Sequence, residues 1–148
     1  MSRFSGVHFR RGAMTLPAVW VLAACTPAPR KFEQRLWTDE FEFHISAEVT
    51  PPRAEEPTAY TVLIRDKKTK EPIVKGQGRI FATNSDGKTI WDGFKYGPEV
   101  GTYHATLMFL TAGEWAMNVQ FRRDSTTALQ RPVYDWRQLI RRGAEPGS

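Results

Sequence analysis

Strict alternation of apolar and polar residues begins at Phe41 and limits what this chain can fold into. Apolar side chains occupy every second position from Phe41 to Val49, and polar side chains lie between them. Successive side chains of a strand point to opposite faces, so this period of two predicts a strand with one buried and one solvated side. Pro51-Pro52 then ends the strand, because proline cannot donate to a sheet ladder.

The same period returns several times before residue 123, with turn residues such as Asn84-Ser85-Asp86-Gly87 between the segments. Short strands at turn spacings of about 8–12 residues are typical of antiparallel sandwiches. The sequence therefore predicts an all-β fold, an antiparallel immunoglobulin-like β-sandwich of about 6–7 strands over residues 41–123. The apolar rows of the last two strands should face each other across its centre. The later predicted strands are Tyr60–Ile64, Gly78–Ala82, Ile90–Trp91, Tyr103–Phe109 and Trp115–Phe121.

A basic, acid-free start of the chain is followed by twelve uncharged residues, Ala13 to Ala24. Arg3, Arg10 and Arg11 precede this stretch, which is the order of a secretory signal peptide. Twelve residues are too few to cross a hydrocarbon core as a helix, which needs roughly 20. We therefore expect residues 1–24 to be a signal peptide. An uncleaved N-terminal anchor and an ordinary core helix are the alternatives.

Leu22-Ala23-Ala24-Cys25 resembles the lipobox of bacterial lipoproteins. That resemblance implies that Cys25 becomes the first residue after cleavage and carries a covalent diacylglycerol. We expect no other cofactor. The resemblance also implies that the protein is lipid-anchored on the extracytoplasmic, periplasmic side of a bacterial membrane. Residues 25–40 are then the lipidated cysteine and a tether, whose apolar residues Phe32, Leu36 and Trp37 we expect to close one end of the sandwich. Contact of these residues with the membrane surface or with a partner is the alternative.

Removal of the signal peptide leaves a chain of nearly balanced charge. The whole sequence has a formal net charge of +5, and three of its basic residues lie before residue 25. Residues 25–148 therefore carry 18 basic and 16 acidic residues, a net charge of +2. No cationic stripe remains, so we expect no nucleic-acid partner.

Tyr60–Asp66, Glu71-Pro72-Ile73-Val74, Gly101-Thr102-Tyr103 and Gly113–Val119 resemble motifs of the YtkA-like and FixH-like domains of exported bacterial proteins. Those domains are small β-sandwiches, so the resemblance implies the same fold over about residues 41–123. Family members often carry Met or His between the Pro-Val and Gly-x-Tyr strands, whereas this chain has neither between Ile73 and Thr102. The resemblance also implies that a periplasmic carrier of a metal or small ligand is an alternative function.

Few residues suggest chemistry. His44, His104 and Met108 lie on polar strand faces, and together they could form a copper(I) site if their strands were neighbours. Solvent-facing side chains are the alternative interpretation. No serine lies in a His-Asp context and no glycine-rich phosphate loop is present in the sequence, so we expect that the protein is not an enzyme.

The segment 124–148 reads as a separate tail. Asp135 can cap a short helix, in which Trp136, Leu139 and Ile140 would share one face. Such a helix could pack over an open end of the sandwich, dock onto a partner or rest on a membrane. Docking is our working hypothesis, and its candidate residues are Trp136, Arg137, Leu139, Ile140 and Arg141.

These features favour a non-enzymatic, lipid-anchored exported protein. Its expected role is that of an accessory or structural subunit, or an assembly factor, of an integral membrane protein complex, for example one of electron transfer. The alternative is a periplasmic carrier of copper or of a small ligand.

Overall fold

A computed structural model describes residues 31–144, in which nine strands form two antiparallel sheets. No helix occurs within this range, and so none that is long and apolar enough to cross a membrane. The expected signal peptide and Cys25 lie outside the described residues. The strands are β1 Phe32–Trp37, β2 Phe41–Ala47, β3 Pro57–Asp66, β4 Gln77–Asn84, β5 Thr89–Gly93, β6 Lys95–Tyr96, β7 Thr102–Met108, β8 Gly113–Arg122 and β9 Trp136–Ile140.

The two sheets have the orders β1-β2-β3-β7-β6 and β5-β4-β8-β9. In the first sheet, Phe43 of β2 lies opposite Ile64 of β3, and Val62 of β3 lies opposite Tyr103 of β7. In the second sheet, Ile80 of β4 lies opposite Val119 of β8. The predicted immunoglobulin-like β-sandwich is therefore confirmed.

The core lies between the sheets and is rich in aromatic rings. Strands β7 and β8 belong to different sheets, and their apolar rows face each other as predicted. The ring centroids of Tyr103 and Phe121 are 5.2 Å apart, and those of Phe109 and Trp115 are 5.4 Å apart, both edge to face. The Tyr103 hydroxyl donates to the carbonyl of Ile73 at 2.8 Å, and burial raises the pKa of Tyr103. The hydrogen bond to Ile73 satisfies the hydroxyl group of the buried ring.

The sandwich begins earlier than the expected boundary at residue 41. Residues 32–37, assigned to the tether, form β1, which pairs with β2 and places Leu36 in the core. Trp37 remains half exposed at the end of that strand. At the other end of β2, Val49 was expected in the strand but lies beyond it and is exposed.

The predicted C-terminal helix is wrong. Residues 136–140 form β9, which pairs with β8 and extends the four-stranded sheet. Trp136 and Ile140 point into the core, while Leu139 between them points to solvent. The alternation was hidden in the sequence because the inward position between the two apolar residues is the polar Gln138, buried in the same row.

Candidate interaction face

The solvent-facing side of the four-stranded sheet carries an ordered group of aromatic and arginine side chains. Register places Trp91 of β5 opposite Phe81 of β4, and Phe81 opposite Asn118 of β8. We call this surface the Trp91 face. It consists of Arg79, Phe81, Trp91, Arg131, Arg137 and Leu139.

Guanidinium groups stack against both rings of this face. The Arg79 guanidinium carbon lies 5.5 Å from the centroid of Trp91 and 5.8 Å from that of Phe81. The Arg131 guanidinium carbon lies 5.1 Å from the Phe81 centroid. Each such contact contributes about 0.5–1 kcal/mol at an exposed site. Trp91 is thereby held in place although 61% of it is exposed.

Asn118 fixes the loop that delivers Arg131 to this face. It is fully buried, and its amide nitrogen donates to the Pro132 carbonyl at 3.0 Å and to Asp135 Oδ1 at 2.6 Å. Arg131 donates to the same carboxylate at 2.7 Å. Partial burial of Asp135 opposes its ionisation, but the Asn118 hydrogen bond and the Arg131 charge outweigh it, so the pKa of Asp135 lies below its ordinary value. The loop is therefore fastened by an ionised, hydrogen-bonded carboxylate.

A shallow groove of about 400 Å³ lies beside Phe81. Arg131 and Arg137 line it, each within salt-bridge distance of one carboxylate, Asp135 and Glu114 respectively. Arg79 differs from them, since within residues 31–144 its only side-chain hydrogen bond runs from Nε to Gln120 Oε1 at 2.9 Å and it has no carboxylate partner. Arg79 is therefore the cation of this face that is available to an incoming carboxylate.

The predicted docking residues divide between core and surface. Trp136 and Ile140 are 6% and 1% exposed, so neither is available to a partner. Arg137 and Leu139 point outward on the Trp91 face, and Leu139 is 60% exposed. Arg141 follows β9 and is exposed, and its carbonyl accepts from the Ala54 amide at 2.8 Å. The structure thus keeps part of the predicted set on a surface but replaces its helical face by a sheet face.

Sequence analysis missed the central members of this face. Arg79, Phe81 and Trp91 lie on two strands, and only the register of β4 with β5 brings them together. Trp91 was assigned to a strand without a role. The sequence carries no signal that joins these three residues, because Trp91 follows Arg79 by twelve residues and only strand pairing makes them neighbours.

The candidate metal ligands do not form one cluster. His44 lies on β2 and His104 on β7, and β3 separates the two strands. His44 Nε2 lies 2.6 Å from Glu42 Oε1, and His104 Nδ1 lies 3.3 Å from Thr61 Oγ1. Met108 is four residues beyond His104 at the exposed end of β7. Within residues 31–144, no three His, Cys, Asp or Glu side chains lie close enough together to hold a metal ion.

Glu42 forms a charged cluster on the outer side of the five-stranded sheet. Lys70 Nζ donates to its Oε2 at 2.7 Å, and His44 occupies its other oxygen. These hydrogen bonds, of which that of His44 is the larger influence, lower the pKa of Glu42 to about 2. The cluster joins β2 to the turn after β3, and we assign it a structural role.

The fold occurs in solved bacterial proteins. A DUF4426 family protein from Pseudomonas aeruginosa PAO1 is similar with a TM-score of 0.54 at 15% identity, over 74% of this chain and 94% of that one. At this identity the likeness shows a shared β-sandwich fold alone. Weaker likenesses are to a DUF4785 family protein from Legionella pneumophila (TM-score 0.46, 7% identity, 69% of this chain and 28% of that one) and to FetP from uropathogenic E. coli strain F11 (TM-score 0.43, 12% identity, 73% and 91%). No family model and no curated protein matches the sequence.

Proposed function

We propose that this protein is an exported, lipid-anchored, non-enzymatic subunit that docks onto a membrane protein complex through the Trp91 face. The signal-like start of the sequence and the lipobox-like Leu22-Ala23-Ala24-Cys25 support export and anchoring. The observation that carries the docking proposal is Trp91, a large and exposed aromatic side chain held by the stacked Arg79.

A pre-arranged tryptophan and arginine pair is suited to binding proteins. Energetically dominant interface residues are enriched in Trp, Tyr and Arg. An immobilised side chain loses less conformational entropy when a partner covers it, and that loss otherwise costs about 0.5–1.5 kcal/mol per side chain. Trp91 and Arg79 meet both conditions because each holds the other in place.

The charge of the face indicates the partner's chemistry. Glu114 and Asp135 each form a salt bridge with one arginine of the face, and Arg79 has no carboxylate partner within residues 31–144. Complementary potentials across an interface raise association rates and exclude partners of like charge. We therefore propose a partner protein whose contacting surface is acidic and includes an apolar site for Trp91.

The test uses two substitutions on this face and one charge-matched control. Arg79→Glu and Trp91→Ala should both abolish recovery of the partner when the full chain is purified from its native membranes in detergent. Lys68→Glu, an exposed substitution in the turn after β3, makes the same change of charge and should leave recovery unchanged. Raised salt should weaken recovery with the wild-type chain, because an exposed ion pair is screened.

Lys68→Glu should melt close to wild type, whereas Arg79→Glu and Trp91→Ala lose stacking contacts and should stay folded with melting temperatures lower by a few degrees. A stoichiometric membrane protein that copurifies equally with wild type, Arg79→Glu and Trp91→Ala would contradict docking through the Trp91 face. Absence of any stoichiometric partner from wild-type preparations, even after chemical crosslinking in intact membranes, would contradict the role of subunit itself.

A further inference from the structure

Within residues 31–144, β1 is an outermost strand of the five-stranded sheet, and no strand pairs with its outer side. The amide of Thr38 donates to the carbonyl of Phe41 at 2.9 Å, which sets the ladder of the β1-β2 hairpin. Because hydrogen-bonded pairs alternate in an antiparallel ladder, the backbone groups of Glu33, Arg35 and Trp37 point away from β2. Within residues 31–144, no backbone hydrogen bond joins them to another segment, and the Arg35 carbonyl accepts one side-chain hydrogen bond, from Gln34 Nε2 at 3.3 Å. Such an edge is a template for a further strand.

The sequence of this edge is complementary to itself when it is read in the opposite direction. Placing Gln34 opposite Gln34 of a second copy brings Glu33 opposite Arg35 and Lys31 opposite Trp37, each twice. Opposite charges directly across a sheet are favourable, and an ammonium group over an indole ring is too. Shifting the register by two residues would place Arg35 opposite Arg35 or Glu33 opposite Glu33, which is unfavourable. The charges therefore select one register.

An apolar groove lies at the same edge of the sandwich. Its volume is about 410 Å³, and Leu36 and Trp37 form one wall. The other wall is the segment Pro132–Tyr134, whose Val133 and Tyr134 are 85% and 80% exposed. In the selected register, Phe32 of the second copy lies opposite Leu36, on the inward side of the sheet. Phe32 is half-buried against its own core, and the part of its ring that stays exposed is the apolar group that would contact this groove.

We infer that two copies of this chain pair antiparallel through β1, with Gln34 on the two-fold axis, and join their five-stranded sheets into one of ten strands. The interface is isologous, because both copies contribute the same residues of β1 to it. It lies on a different strand and sheet from the Trp91 face, and it does not depend on the proposed function or on lipidation.

A charge exchange tests the pairing and its register. The full chain, purified in a mild detergent, should be dimeric by sedimentation equilibrium at micromolar concentration. Glu33→Arg places Arg opposite Arg twice and Arg35→Glu places Glu opposite Glu twice, so each should weaken dimerisation roughly tenfold or more. The double variant Glu33→Arg with Arg35→Glu restores opposite charges at both positions and should dimerise like wild type. Arg79→Glu should leave the dimer unchanged.

Crosslinking provides a second measurement that does not depend on affinity. Cα atoms of directly opposite residues in a non-hydrogen-bonded pair lie about 4.5 Å apart, within the range that a disulfide spans. Gln34→Cys should therefore give an oxidised dimer, and Lys95→Cys on the exposed edge strand β6 should not. A wild-type chain that is monomeric at 100-fold higher concentration would overturn the inference. So would single charge variants that dimerise like wild type, or equal crosslinking from positions 34 and 95.

Discussion

Polar side chains on the outer side of the sheets fix loops that lie outside the apolar core. Asn118 occupies an outward position of β8 and is nonetheless fully buried, because the loop 131–135 covers it. Its amide satisfies one backbone carbonyl and one carboxylate of that loop. Nothing in the sequence around Asn118 distinguishes it from a solvated residue, since its role depends on a loop that folds back from positions well beyond it in the chain.

Glu42 is expected to make the free energy of unfolding depend on pH below about 4.5. Its pKa is lowered to about 2 in the folded protein, from an ordinary value of 4.5. Between these values the unfolded chain binds the proton and the folded chain does not, so stability falls as the pH falls from about 4.5 towards 2. Glu42→Gln removes this difference, so the free energy of unfolding should depend less on pH across that window than in wild type.

Urea unfolding between pH 2 and 6 measures this dependence for Glu42→Gln and wild type. Glu48→Gln is the matched control, because Glu48 is exposed just beyond the end of the same strand. Equal pH dependence of Glu42→Gln and wild type would show that the contacts of Glu42 with Lys70 and His44 do not hold in solution.

At the scale of the elements, the central strands were predictable, and of the four edge strands only β5 was, at Ile90–Trp91. The strands around Phe43, Val62 and Tyr103 bury apolar side chains at every second position, so their period is visible in the sequence. β1 and β9 each have a glutamine in the middle of the inward row, at Gln34 and Gln138. A polar residue at an inward position breaks the period, which left β1 assigned to a tether and β9 assigned to a helix.

The Trp91 face could not be predicted for a different reason. Its members are exposed, and an exposed Trp or Arg follows no period that distinguishes it from other surface residues. Trp91 and Arg79 meet because the turn after Asn84 sets the register of β4 against β5. The sequence indicates that turn, but not which outward side chains it brings together.

Adjacent residues of β9 distinguish the strand from the expected helix. Ile140 is buried and Leu139 is exposed, whereas a docking helix would have placed both on one face with Trp136. Ile140→Ala should lower the free energy of unfolding by about 2–5 kcal/mol, the cost of a large-to-small change in a core. Leu139→Ala should change it by about 0.5 kcal/mol or less. Chemical denaturation of both variants makes the comparison, and equal effects would contradict β9.

At the scale of the whole molecule, the described part of the chain begins at one end of the sandwich. β1 begins at Phe32 beside the end of β2 at Ala47, and Cys25 lies seven residues earlier in the sequence. Seven residues span at most about 25 Å, so a lipid on Cys25 would hold this end close to the bilayer. The Trp91 face runs along the side of the sandwich and would stay accessible. In the paired arrangement, the two Lys31 residues lie about 20 Å apart at opposite ends of the paired strands, so both lipids would reach one bilayer only with the strands lying along its surface.

Cys25→Ser tests the anchor, because a thioether-linked diacylglycerol requires the cysteine thiol. Two acyl chains hold a protein stably on a membrane where one gives only marginal binding. The wild-type chain should therefore partition into the detergent phase, and its mass should show a mature N-terminus at Cys25 with the lipid attached. Thr26→Ala, which leaves the thiol in place, should behave in the same way. Cys25→Ser should leave the protein unprocessed or released from the membrane, with no lipid mass. A wild-type protein that starts at another residue and has no lipid would contradict the anchor and leave the sandwich and its paired edge unaffected.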